Sequence, residues 1–86
     1  MNLLFIKNRG AIMNKEKLKN EIEKNDVIFR YNNKYYSICY FGDKYSVYET
    51  DVDYSEQRFN SFEEMIENFN IEGKAFKDVI GEIILV

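Results

Sequence analysis

Apolar positions along the chain follow one spacing, then another, then return to the first. Between Lys15 and Lys24 only Leu18 and Ile22 are apolar, four residues apart among alternating charges. That spacing predicts a mostly solvated helix with one narrow buried stripe, capped by Asn14 and ended by Asn25-Asp26. From Val27 the period changes to two. Val27-Ile28-Phe29-Arg30-Tyr31, Lys34 to Phe41 and Tyr45 to Glu49 are runs rich in β-branched and aromatic residues. Asn32-Asn33 and Gly42-Asp43-Lys44 separate them as turn signals, which predicts an antiparallel meander. A polar, acidic stretch over 50–58 reads as a loop, with Gln57 to Phe59 as an optional short fourth strand.

Helical spacing returns at Ser61-Phe62-Glu63-Glu64, a capping box followed by Phe62, Met65, Ile66 and Phe69 at i, i+3, i+4, i+7. Asn70-Ile71-Glu72-Gly73 breaks that helix. Phe76, Val79, Ile80, Ile83 and Ile84 then repeat the spacing, with Gly81 as the weak position, so a second C-terminal helix is expected. The alternative for Glu82 to Val86 is a terminal strand. The predicted fold class is therefore α+β: an N-terminal helix, a three- to four-stranded antiparallel meander, and two C-terminal helices packed on one sheet face. On the second strand Tyr36, Ile38 and Tyr40 point one way while Tyr35, Ser37, Cys39 and Phe41 point the other. Both faces carry rings, and the C-terminal third must cover at least one of them.

The chain holds 86 residues with no His, no Pro, no Trp and one Cys, and 45% of it is hydrophobic, including seven Tyr and seven Phe. One domain with a packed core accounts for all of it. Lack of His excludes a His general base, a Ser-His triad and any His-bearing metal site. A lone Cys39 forms no internal disulfide, and its apolar surroundings predict a buried small hydrophobe. The longest apolar runs, Leu3 to Ile6 and Ile83 to Val86, fall far short of the roughly 20 residues a bilayer demands. Met1 to Lys7 lacks the order of a secretion signal, so a cytoplasmic location is expected.

Residues 1–12 admit two readings. Met13-Asn14-Lys15-Glu16 looks like a second beginning, and Arg9-Gly10 is encodable as a purine-rich ribosome-binding stretch just upstream of it. Residues 1–12 are then an untranslated leader ahead of a single domain over 13–86. In the other reading Leu3 to Ile6 is an added edge strand.

Charge is unevenly spread. The formal net charge is -3, yet Glu49 to Glu72 carries Glu49, Asp51, Asp53, Glu56, Glu63, Glu64, Glu67 and Glu72 against Arg58 alone. Residues 1–34 lean the opposite way, with eight basic and four acidic side chains. An ordinary solvated helix face plus an acidic loop accounts for such a bias. The functional alternative is a surface that steers a basic partner. That reading selects Glu49, Asp51, Asp53, Glu56, Glu63, Glu64 and Glu67, with Tyr48 and Tyr54 as aromatic anchors.

Other chemistries fit less well. Asp51-Val52-Asp53-Tyr54-Ser55-Glu56 begins like a calcium loop, but Glu56 stands where Gly is needed and Phe62 where a bidentate Glu is needed. Tyrosines on a sheet stack bases in several nucleic-acid-binding folds, but residues 35–48 offer Lys44 as their only cation, which argues against direct nucleic-acid binding. Carboxylate pairs such as Asp51 with Asp53 or Glu63 with Glu67 have acid and base chemistry, yet no phosphate loop, dinucleotide fingerprint or nucleophile elbow accompanies them. No catalysis and no cofactor is expected.

A Lys- and Glu-rich first helix from Asn14 to Lys24, a Tyr-rich meander and the acidic Ser61-Phe62-Glu63-Glu64-Met65-Ile66-Glu67-Asn68-Phe69 together resemble accessory proteins of phages and mobile elements. In format, over residues 13–86, the chain is similar to small acidic anti-CRISPR inhibitors of type II effectors. The resemblance implies a stoichiometric inhibitor whose carboxylates occupy a basic groove of a host nucleic-acid-handling protein, and it transfers no residue assignment. An accessory α+β protein without an inhibitory role is the alternative. Intact mass of the product from the natural gene separates the two readings of residues 1–12. A chain starting at Met13, with its charge moved from -3 to -5 by loss of Lys7 and Arg9, is expected for the leader, and a chain starting at Met1 rejects it.

Overall fold

The structure is a computed structural model and describes residues 12–86. The proposed edge strand over Leu3 to Ile6 lies outside the described residues. Helix α1 spans Lys15–Lys24. The Asn14 side chain accepts a hydrogen bond from the Lys17 N–H at 2.9 Å, satisfying one of the free donors of its first turn. Only Leu18 and Ile22 are buried on it, the narrow stripe their spacing predicts.

Strands β1 (Val27–Tyr31), β2 (Lys34–Phe41) and β3 (Lys44–Glu49) form the meander. Asn32 takes a φ of 56° in the first turn, which Asn tolerates better than other side chains. Gly42 and Asp43 take 55° and 64° in the second, the paired left-handed geometry that matches strand twist. Strand β4 (Gln57–Phe59) returns antiparallel to β3, Tyr45 opposite Phe59. Helix α2 spans Phe62–Asn68, and its capping box is formed: Ser61 Oγ accepts from the Glu64 N–H, and Glu64 Oε1 accepts from the Asn60 N–H.

Beyond α2 the structure departs from expectation. Asn70–Ile71 (β5) and Lys74–Ala75 (β6) make a small hairpin turned by Glu72 and Gly73, both at positive φ. The predicted second C-terminal helix is instead two short 3-10 turns, Phe76–Asp78 and Ile80–Glu82, followed by strand β7 (Ile84–Leu85). Three features explain the difference. Ala75 provides no side-chain cap, Gly81 weakens the helix interior, and the uncovered edge of β1 offers hydrogen bonds to a β-branched tail. Two 3-10 turns still bury Phe76, Val79, Ile80 and Ile83 on one side. The meander thus widens to five antiparallel strands in the order β4-β3-β2-β1-β7.

Pairing fixes which side chains share a face. Phe29 lies opposite Tyr36, Ile38 opposite Val47, and Tyr45 opposite Phe59, and all of these are buried beneath α1, α2 and the C-terminal turns. Phe29 stacks on Tyr36 at 5.2 Å and on Phe76 at 5.3 Å, and Phe69 meets both Tyr36 and Phe76 edge to face. These four rings join the sheet to the chain that follows α2. On the opposite face Ile28, Tyr35, Phe41 and Ile84 remain exposed.

Phe76→Ala removes a completely buried ring and is expected to cost about 3–5 kcal/mol in urea unfolding, whereas Phe41→Ala on the open face should stay within about 0.5 kcal/mol. Equal effects would contradict this assignment of faces. Burial, with Glu49 next, raises the Tyr36 phenol above its ordinary value, and burial, then Glu23, does the same for Tyr45. A phenol that ionises later in the folded chain stabilises it below the unfolded value, about 10, and that contribution is lost as pH rises through the folded value. Stability should therefore fall as pH climbs past about 10, and Tyr36→Phe should flatten the fall.

Candidate functional site

Chain segment 50–56 folds back over the open face instead of extending β3. Hydrogen bonds hold it there. The Thr50 N–H donates to the Tyr35 carbonyl at 2.8 Å, the Val52 N–H to the Glu49 carbonyl at 3.1 Å, and the Glu49 N–H to Ser55 Oγ at 3.0 Å. Ser55 Oγ in turn donates to the Val52 carbonyl at 2.8 Å. Ser37 and Thr50 hydroxyls are also 2.8 Å apart, anchoring the start of the loop to β2. Asp51 and Tyr54 sit at φ values of 66° and 62°. For Tyr54 that region is sparsely populated, and its side chain is fully exposed at the loop tip.

Between this loop and the sheet lies a concavity of about 480 Å³. Cys39 and Ser46, which face each other across β2 and β3, line it, with Phe41 and Tyr48 from the same strands. The loop contributes Asp51, Val52, Asp53, Tyr54, Ser55 and Glu56. Five of the nine residues selected from the sequence therefore converge here: Tyr48, Asp51, Asp53, Tyr54 and Glu56.

Their chemical states differ. Glu56 accepts a hydrogen bond from the buried Ser46 hydroxyl and another from Arg58 Nε at 3.0 Å, and these two donors hold its carboxyl below the usual carboxylate range. Asp51 and Asp53 have no side-chain hydrogen bond or ion pair among the described residues. Cys39 is half-buried on the open face, not a core residue as its neighbours implied, because alternation along β2 sends it to the side the helices do not cover. Burial and then Asp26 push its thiol above the ordinary value.

The remaining selected residues lie elsewhere. Glu63, Glu64 and Glu67 sit on α2, which packs on the opposite side of the sheet. Glu64 is engaged in the cap, and Glu67 pairs with Lys77 at 2.9 Å, raising the Lys77 ammonium. Glu49 falls in register with Tyr36 on the covered face and borders a second hollow with Lys34 and Glu72. Glu72 is tied to the first hairpin turn, where Asn32 Nδ2 donates to its Oε1 at 2.7 Å. The selected carboxylates thus fall into two groups on opposite layers, separated by the sheet.

Lys15 and Lys19 ride on α1 over the covered face while Arg30 pairs with Tyr35 and Ile84 on the open one, so they do not line up as a cationic track beside exposed rings. Cys39, Phe41, Ser46, Val52 and Ser55 were not selected from the sequence. The outward parity of Cys39 and Phe41 on β2 was the available signal, given that the chain holds helical material for one face only. Among the described residues no three His, Cys, Asp or Glu side chains gather as metal ligation requires, and no helix there is long and apolar enough to cross a membrane. No family model, curated protein or solved structure matches the chain.

Proposed function

We propose that the protein is a binding module, not an enzyme, that docks a basic surface of a protein partner through the 50–56 loop. The observation that carries this reading is the convergence of Asp51 and Asp53, unpaired among the described residues, with Tyr48 and the fully exposed Tyr54 on one concavity. Carboxylates without internal partners keep their field for an incoming cation, and clustered like charge accelerates encounter. The exposed Tyr54 and the half-buried Tyr48 add contact area at low entropic cost. The loop is already ordered by its own hydrogen bonds, which lowers the entropy lost on docking.

Resemblance in format to acidic inhibitors narrows the partner to a nucleic-acid-handling protein, whose Arg- and Lys-lined groove the loop would occupy in place of phosphates. The carboxylates of α2 are not part of that contact in this reading, since they face away on the other layer. Cytoplasmic nucleic-acid machinery of a phage or mobile-element host is the setting it implies.

Stoichiometric inhibition of a host Cas9-type effector on duplex DNA tests the proposal. Intact protein should suppress cleavage near equimolar ratio. Asp51→Asn combined with Asp53→Lys should weaken suppression by about tenfold or more at low salt and by less at high salt, as screening removes the steering field. Glu63→Gln with Glu67→Gln should change it less than about twofold, as expected of charges outside the contact. Loss through the α2 pair alone would place the contact on the wrong layer, and no suppression at any ratio would contradict the inhibitor reading.

A further inference from the structure

We infer that the concavity between the 50–56 loop and strands β2 and β3 takes an arginine side chain, in preference to lysine or to any other cation of equal charge. This inference rests on the docking reading and adds what the site recognises. Net charge alone would not separate the two basic side chains; the lining does. Phe41 and Tyr48 supply two rings, the fully exposed Tyr54 adds a free ring at the mouth, Val52 adds an aliphatic wall, and Asp51 and Asp53 supply carboxylates unpaired among the described residues.

A guanidinium is planar, weakly hydrated and able to stack on a ring while its N–H groups donate in pairs to a carboxylate. An ammonium is compact and strongly hydrated, and it loses more on entering a ring-lined recess. Beside the recess a guanidinium already meets one of its carboxylates through a single bond, Arg58 Nε donating to Glu56 at 3.0 Å. That bond and the Ser46 hydroxyl occupy Glu56, so the incoming group is left to Asp51 and Asp53. The same lining disfavours other ligand classes. Anions meet a carboxylate wall, and a neutral apolar ligand would strip water from Asp51 and Asp53 without replacing it.

Equal-charge peptides test the idea directly. Capped hexa-arginine and capped hexa-lysine are titrated into the full chain at about physiological salt, with Cys39 alkylation rate as a second readout because that thiol lines the recess. Hexa-arginine should bind at least fivefold tighter and protect Cys39. Its advantage should survive added salt, since stacking is not screened as steering is. Tyr54→Asn, which suits the positive φ, and Phe41→Ala on the exposed face should each bring the ratio toward one while the unfolding midpoint stays unchanged. Asp51→Asn with Asp53→Asn should weaken both peptides.

Equal binding of the two peptides, both lost with the Asp51 and Asp53 changes, would overturn the arginine assignment and leave the docking reading intact. Failure of both peptides to bind at millimolar concentration would overturn the arginine assignment and the docking reading together. An arginine preference that persists in Tyr54→Asn and Phe41→Ala would place recognition outside this recess and overturn the inference.

Discussion

Stacking of Phe76 on Phe29, with Tyr36 and Phe69 closing the cluster, is the contact on which the arrangement of the molecule depends. It brings the chain beyond α2 back across the middle of the sheet and delivers Ile84–Leu85 to the free edge of β1. Both helices and both 3-10 turns are used on this one side. A chain of 86 residues has no further helix among its described residues with which to cover the other. One-sided burial is common in antiparallel sheets, whose second face usually turns polar. Here that face keeps Ile28, Tyr35, Phe41 and Ile84 exposed, so the sheet presents apolar and aromatic groups to its surroundings.

The 50–56 loop converts half of that face into a shaped recess. Ser55 is its fastener, since its hydroxyl ties Glu49 to Val52 and thereby forces the chain to turn back over β2 and β3. Ser46, buried at the recess, orients Glu56 and withdraws it from the pool of free carboxylates. Ordering and partial neutralisation together leave two aspartates and a protruding tyrosine as the groups with unspent interaction capacity. This division of labour among acidic residues is what links the fold to the docking proposal.

Much of the fold was legible in the residues, and for local reasons. The bounds of α1, β1 and β2 follow from Asn14, from the switch to two-residue periodicity at Val27, and from Asn32-Asn33, all of which act over a few residues. Helix α2 was equally plain from its capping box. The C-terminal segment was legible in part: the terminal strand offered as the alternative for Glu82 to Val86 is β7, whereas the spacing of Phe76, Val79, Ile80 and Ile83 is satisfied by two 3-10 turns as well as by a helix, and the choice depends on the free edge of β1 far earlier in the chain. The site was legible in part for a related reason. Asp51, Asp53, Glu56 and Tyr54 are close in sequence and line one concavity, whereas Glu63, Glu64 and Glu67, also near in sequence, lie on α2 across the sheet. Cys39 and Phe41 entered the recess through strand parity, which becomes informative only once the covered face is known.

The apolar core lies on one face of the sheet and the ring-bearing recess on the other. Attenuation of aromatic NMR signals by a soluble paramagnetic probe tests this division most directly. Signals of Tyr35, Phe41 and Tyr54 should be strongly attenuated while those of Phe29, Tyr36, Tyr45 and Phe76 remain sharp. Protection of Phe41 and Tyr54 comparable to that of Phe76, in monomeric protein, would contradict the account.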